Sequence, residues 1–141
     1  MSRSQAIKEF QDVRFGMFIH WGLYSIGNSS FDAVRDMKYY SIEEIPKEEY
    51  KKLVDRFNPV DYNPSEWAEL ARDAGMQYSV IVTKHHDGFC LFDSKLTDFK
   101  VTNTPYGRDL IKSWVEAFRH AGLKVGFYYS LIDADAYSRF P

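Results

Sequence analysis

The sequence predicts an α/β fold with a parallel sheet. Two amphipathic helices, each opened by a capping residue and closed by glycine, alternate with three short apolar runs. The middle run, Tyr78–Thr83, is continuous and rich in β-branched residues, the pattern of a strand buried on both faces of a parallel sheet. Two successive strand–helix–strand units then imply parallel strands joined by right-handed crossovers. With 141 residues there is length for one domain with a sizeable core.

The elements follow in order. Gly16–His20 (GMFIH) is a short apolar run flanked by glycines, which favours a strand ending at His20-Trp21-Gly22. Residues 27–46 are polar and irregular, with Gly27-Asn28-Ser29-Ser30 expected as a turn or loop. Lys47–Phe57 carries Tyr50, Leu53, Val54 and Phe57 at helical spacing, and Asn58-Pro59 stops it because the residue before proline disfavours the α region. In the next helix Asn63 caps, Pro64 suits the first turn, and Glu66 completes an Asn-x-x-Glu box. Trp67, Leu70, Ala71 and Ala74 form its expected apolar stripe, and Gly75 ends it. Asp109 caps a further helix with Leu110, Ile111, Trp114, Val115 and Phe118 inward, closed by Ala121-Gly122. Leu123–Ser130 is the third strand.

Composition narrows the function. Hydrophobic residues make up 45% and charged residues 27%, an ordinary globular balance, while aromatics reach 17%. The net charge of -2 and the lack of a basic block give no reason to propose a nucleic-acid partner. No apolar stretch approaches about 20 residues, so no membrane span is expected. The first fifteen residues lack an apolar core of signal-peptide length, which makes a cytoplasmic location the default expectation. The single cysteine, Cys90, allows no disulfide within the chain and reads as a small core residue.

Chemistry gathers at the predicted carboxyl ends of the strands, where parallel α/β folds bind ligands. The first strand ends in His20-Trp21, the second in Lys84-His85-His86-Asp87, and the third in Tyr128-Tyr129-Ser130. His120 falls in the last turn of a helix, suits the dipole there, and reads as structural. Adjacent histidines in a regular strand point to opposite faces, which argues against chelation by His85 and His86. No His-Glu-x-x-His, cysteine cluster, Gly-x-Ser-x-Gly elbow or phosphate-cradling glycine loop is present. No metal and no cofactor is therefore expected. Asp87, Asp93, Asp133 and Asp135 lie near the same end, but spacing picks no catalytic pair among them, and each reads as a turn or cap residue.

FGMFIHWGLYS, EWAELARDAGMQYSVIVTKHHDGFCLFDS, RDLI and GLKVGFYYSL, in this order and spacing, resemble the N-terminal part of the family 29 glycoside hydrolases, the α-L-fucosidases. The resemblance runs from about Val13 to Ile132. It implies retaining hydrolysis of α-L-fucosides from glycans on a (β/α)8 TIM-like barrel, of which this chain holds about three βα units. It implies that His20, His85 and His86 contact the sugar hydroxyls. Tyr128, with Tyr129 beside it, would line the pocket, and Trp21 is a further aromatic candidate for the sugar's apolar side. Neutral imidazole donates with one nitrogen and accepts with the other, which suits a polyol.

The chain also departs from that pattern. The Glu-Trp pair that helps members hold fucose has only Asp32-Ala33 as counterpart, and Asp133-Ala134 stands where many members carry Asp-Trp. Three strands fall short of the eight in about 250 residues that a barrel takes. The nucleophile and acid/base would lie beyond Pro141, so no catalytic residue is assigned. The expected partners are a fucosylated glycan or fucoside and a complementary chain carrying the rest of the barrel. Family members are often secreted or lysosomal, against the default location. The alternative reading is a noncatalytic fucose-binding or interaction fragment.

Overall fold

Three parallel strands, β1 (Gly16–Ile19), β2 (Tyr78–Lys84) and β3 (Lys124–Tyr129), lie side by side in sequence order, with β2 in the middle. The computed structural model describes residues 2–26 and 47–133. The expected turn at Gly27–Ser30, the irregular stretch to residue 46, Asp32-Ala33 and Asp135 lie outside them. Phe18 pairs with Val80 and Ile19 with Ile81, while Ile81 pairs in turn with Phe127.

Ahead of β1 stands a ten-residue helix, α1 (Arg3–Asp12), that apolar periodicity does not foreshadow. Ser2 caps it by accepting from the Gln5 N–H at 3.3 Å, and it buries no residue. An exposed Lys124–Glu9 contact of 2.9 Å links it to β3, and pairs of this kind contribute about 0–1 kcal/mol.

Lys47–Phe57 is helical as expected but not uniform. A short α2 (Lys47–Lys51) tightens into a 3-10 turn over Lys52–Arg56, which turns Leu53 and Phe57 into the core. Helix α3 (Pro64–Asp73) starts where Asn63 Oδ1 accepts the Glu66 N–H at 3.4 Å. Its inward face corrects the expected stripe. Ala68 and Ala71 are buried with Trp67 beside them, whereas Leu70 is 67% exposed and Ala74 is also exposed. The helix is rolled so that its small residues meet its neighbour, helix α4 (Leu110–His120), and Leu70 falls on the flank. On α4 the expected stripe holds: Leu110, Ile111, Trp114 and Phe118 are buried.

Both helices end the same way. Gly75 (φ 82) donates to Arg72 O while Met76 donates to Ala71 O, and Gly122 (φ 80) donates to Arg119 O while Leu123 donates to Phe118 O. These paired bonds satisfy carbonyls the helix leaves open, and they need the left-handed conformation that glycine adopts without strain.

The helices cover one face of the sheet only. Met17, Ile19, Ile81 and Val125 point into that core, with Trp114 at its centre. Trp114 is fully buried, stacks on Phe118 at 3.9 Å, and donates its Nε1–H to Ser79 Oγ at 3.2 Å. The opposite face carries Phe18, Val80 and Tyr128 and is not covered among the described residues; Phe18 is half exposed. The expectation that β2 is buried on both faces therefore holds only toward its carboxyl end.

Candidate functional site

Strand alternation puts Phe18 and His20 on the open face of the sheet, where their rings stack 5.1 Å apart. The same alternation sends Trp21 to the other side. It packs against Phe57 (5.7 Å), Tyr62 (5.3 Å) and Trp67 (6.0 Å), so Trp21 is a core residue and does not join the histidines.

At the end of β2 the register shifts. Val82 pairs with Tyr128, yet Lys84 pairs with Tyr129, so β2 holds one extra residue there, and a bulge of this kind re-aims the side chains that follow. The strand stops at Lys84 and a turn follows, with the Gly88 N–H donating to His85 O at 3.2 Å. His85 and His86 thus lie past the regular strand. The expectation of opposite faces does not apply to them, and their rings converge at 4.4 Å.

Four of the expected residues come together. The His85 ring stacks on Tyr128 at 5.4 Å, and His20 lies 5.3 Å from His85 and 5.7 Å from Tyr128. His86 completes the group through His85. Tyr129, next along β3, does not join it; its ring lies 5.1 Å under the Lys84 ammonium. Lys84 is itself buried and donates to Ile132 O and Asp133 Oδ2, both at 3.2 Å, which pins the segment leaving β3.

Burial favours the neutral form of two of the imidazoles, His85 and His20. Burial, aided by the neighbouring His86, His20 and Lys84, pushes His85 down to about 4. Burial lowers His20 as well. Nδ1 of His86 lies 2.5 Å from Ser130 Oγ, and that hydroxyl, with one proton to give, also lies 3.0 Å from Ile132 O. With that proton on Ile132 O, Nδ1 of His86 is the donor to Ser130 and Nε2 is left as an acceptor; with the Ser130 proton on Nδ1 the two roles exchange.

Tyr24, and Tyr50 beyond its place in a helical stripe, also stand beside the site, and no motif marks either for that role. Tyr50 donates to Asp87 Oδ2 at 2.8 Å, and Asp87 Oδ1 accepts the Phe89 N–H at 3.1 Å, so Asp87 is the turn residue expected. Burial pushes its carboxyl up to about 7, against the opposing pull of that N–H and with help from Asp133. Tyr24 is buried with its ring edge-on to His85 at 5.7 Å. Its only advance signal was its place two residues after the glycine of HWG. Among the remaining candidates, Asp93 binds Lys95, Lys100 and Thr102, Cys90 is a buried core residue, and His120 is exposed in the last turn of α4. Among the described residues no group of three or more His, Cys, Asp or Glu is placed to hold a metal. None of their helices is long and apolar enough to cross a membrane.

Three imidazoles beside an aromatic ring, at the carboxyl ends of three parallel strands, are suited to gripping a polyol, because each ring nitrogen can donate or accept. The family model for α-L-fucosidase matches residues 1–139. The chain belongs to the α-L-fucosidase family. Among solved relatives, α-L-fucosidase isoenzyme 1 from Paenibacillus thiaminolyticus is 58% identical, with a TM-score of 0.81 over 94% of this chain and 30% of its own. An α-L-fucosidase from Lactobacillus casei in complex with α-L-fucose product is 39% identical, with a TM-score of 0.80 over 90% of this chain and 41% of its own. Human plasma α-L-fucosidase is 30% identical over 138 residues, 88% of this chain and 29% of the enzyme. The chain thus spans about 30% of the length of the curated fucosidases it matches, and corresponds to an N-terminal part of them.

Proposed function

We propose that this chain supplies the fucose-gripping half of an α-L-fucosidase active site, carried on the first three βα units of a (β/α)8 barrel and forming part of a single catalytic domain. The observation that carries the reading is the convergence of His20, His85, His86 and Tyr128, from three different strand ends, with ring spacings of 4.4 to 5.7 Å. Neutral imidazoles hydrogen-bond sugar hydroxyls, and the Tyr128 ring packs on the sugar's apolar side. The fucose product held by the Lactobacillus casei relative supports the choice of sugar.

Retaining hydrolysis needs two carboxylates about 5–5.5 Å apart across the bond that breaks. The described carboxylates near the site are engaged elsewhere: Asp87 with Tyr50 and the Phe89 N–H, Asp133 with Lys84, and Asp93 with two lysines. The nucleophile and acid/base are accordingly assigned to the remainder of the barrel, whether in the same polypeptide or in a complementary chain. Titration of the 141-residue chain with L-fucose should register heat, while an aryl α-L-fucoside should not turn over. Turnover by this chain alone would overturn the assignment of the catalytic pair, and absence of any fucose heat would overturn the pocket. Binding without turnover, even after the remaining barrel strands are supplied, would favour a noncatalytic fucose-binding fragment.

A further inference from the structure

Two buried polar atoms lack a hydrogen-bond partner among the described residues: the Tyr24 hydroxyl and Nδ1 of His85. They belong to side chains in contact, with ring centroids 5.7 Å apart and edge to face. Both residues are more than nine-tenths buried, Tyr24 at 7% exposure and His85 at 4%. Leaving either atom unpaired costs about 1–3 kcal/mol, so two such atoms on touching rings are natural partners for each other.

We propose that Tyr24 is a positioning residue: its hydroxyl, unbonded in the structure as it stands, closes on Nδ1 of His85 and donates to it, and thereby fixes Nε2 as the nitrogen that carries the proton. The direction of the bond follows from the donor count. If Nδ1 held the proton and donated to Tyr24, the phenol hydrogen would still need an acceptor, and no other described atom lies within hydrogen-bond reach of that hydroxyl. Gly22 is built around the same ring: a Cβ there would sit 2.6 Å from Tyr24 Cε1, so glycine lets the phenol lie against the chain under His85.

The consequence reaches the site. His86 offers Nε2 as an acceptor when the Ser130 proton lies on Ile132 O. His85, held by Tyr24, offers Nε2–H as a donor. Two rings 4.4 Å apart then present opposite polarity, a match for two neighbouring hydroxyls of which one accepts and the other donates. This last step rests on the fucose reading; the tautomer of His85 does not.

The experiment is long-range 1H–15N correlation of the histidine rings in the full 141-residue chain, at neutral pH, for the wild type and Tyr24→Phe. The wild type should show His85 protonated at Nε2. Tyr24→Phe keeps the ring and removes only the hydroxyl; it should shift His85 toward the other tautomer and lower the melting temperature. His85 protonated at Nδ1 in the wild type overturns the proposal without recourse to the variant. So does a Tyr24→Phe variant with an unchanged tautomer, or one that melts higher, as removal of an unpaired hydroxyl would predict. Titration with L-fucose separates the two readings. An affinity loss of about tenfold in Tyr24→Phe is expected, of the order of one hydrogen bond. A chain that ignores fucose but keeps the Nε2–H tautomer would sink the sugar reading and leave the role of Tyr24 standing.

Discussion

Substituting Asp87 by Asn removes one of two buried groups, two residues apart, whose pH responses oppose each other. His85 has its pKa lowered from 6.5 to about 4. Between those values the unfolded chain binds a proton that the folded chain refuses, so stability falls as pH drops from 6.5 to 4. Asp87 is raised from 3.8 to about 7, and over nearly the same window the folded chain holds a proton that the unfolded chain has released. Its contribution therefore falls as pH rises. Each gap spans about 2.5 pH units of the shared window, equivalent to about 3 kcal/mol at 1.36 kcal/mol per unit. In the wild type these two contributions cancel, so their sum is nearly flat from pH 4 to 6.5.

Asp87→Asn leaves the histidine slope alone, and stability should rise by about 3 kcal/mol between pH 4 and 6.5. His85→Gln leaves the aspartate slope, and stability should fall by a similar amount. Urea unfolding followed by tryptophan fluorescence measures both, since the midpoint tracks stability while the slope m stays constant. Asn forfeits one of the two bonds Asp87 accepts, from Tyr50 or from the Phe89 N–H, but that loss is independent of pH and leaves the slope intact. Other titrating groups, His20 and Asp93 among them, are common to all three proteins and drop out of the differences. An Asp87→Asn variant whose stability follows the wild type across the whole window would refute the reasoning, because Asp87 would then be ionised in the folded chain.

Two further outcomes follow from packing. Gly22→Ala drives a methyl to 2.6 Å from a ring carbon of buried Tyr24, and overpacking of this kind costs about 1–3 kcal/mol; an unchanged thermal melt would mean that the ring has room to move. The outer edges of β1 and β3 are unpaired among the described residues, and Phe127 and Tyr129 are half exposed, so the isolated 141-residue chain should associate as its concentration rises. Sedimentation that stays monomeric over a hundredfold concentration range would contradict this.

Most of the scaffold was legible because its signals are local. Asn63-Pro64, Asp109, Gly75 and Gly122 punctuate two helices by capping chemistry that needs nothing beyond a few neighbours. The meeting of His20, His85 and Tyr128 followed from the rule that parallel strands present their carboxyl ends together. What escaped depends on contacts far along the chain. The bulge before His85 appears only when β2 is laid against β3, and it undid the argument that adjacent histidines must diverge. Trp21 could not be separated from His20 as a ligand-facing residue until Phe57, Tyr62 and Trp67 were seen to surround it. Helix α1 buries nothing, so no apolar stripe announced it.

The five residues His20-Trp21-Gly22-Leu23-Tyr24 bind these observations into one mechanical argument. His20 faces the open side of the sheet, whereas Trp21 and fully buried Leu23 enter the core on the helix side. Gly22 then lets the Tyr24 ring fold under His85, which belongs to a different strand end. The segment is thus anchored on one side and supports the site on the other. An imidazole placed to donate one hydrogen bond to a sugar gains little if its ring can rotate or its proton can move to the other nitrogen, because the bound geometry must then be selected anew each time. Tying His20 to the core through Trp21, and His85 to the same segment through the proposed Tyr24 bond, would remove that freedom before ligand arrives. On the proposed reading of the site, weakening the Trp21 cage should therefore loosen fucose binding without altering the four side chains assigned to the sugar.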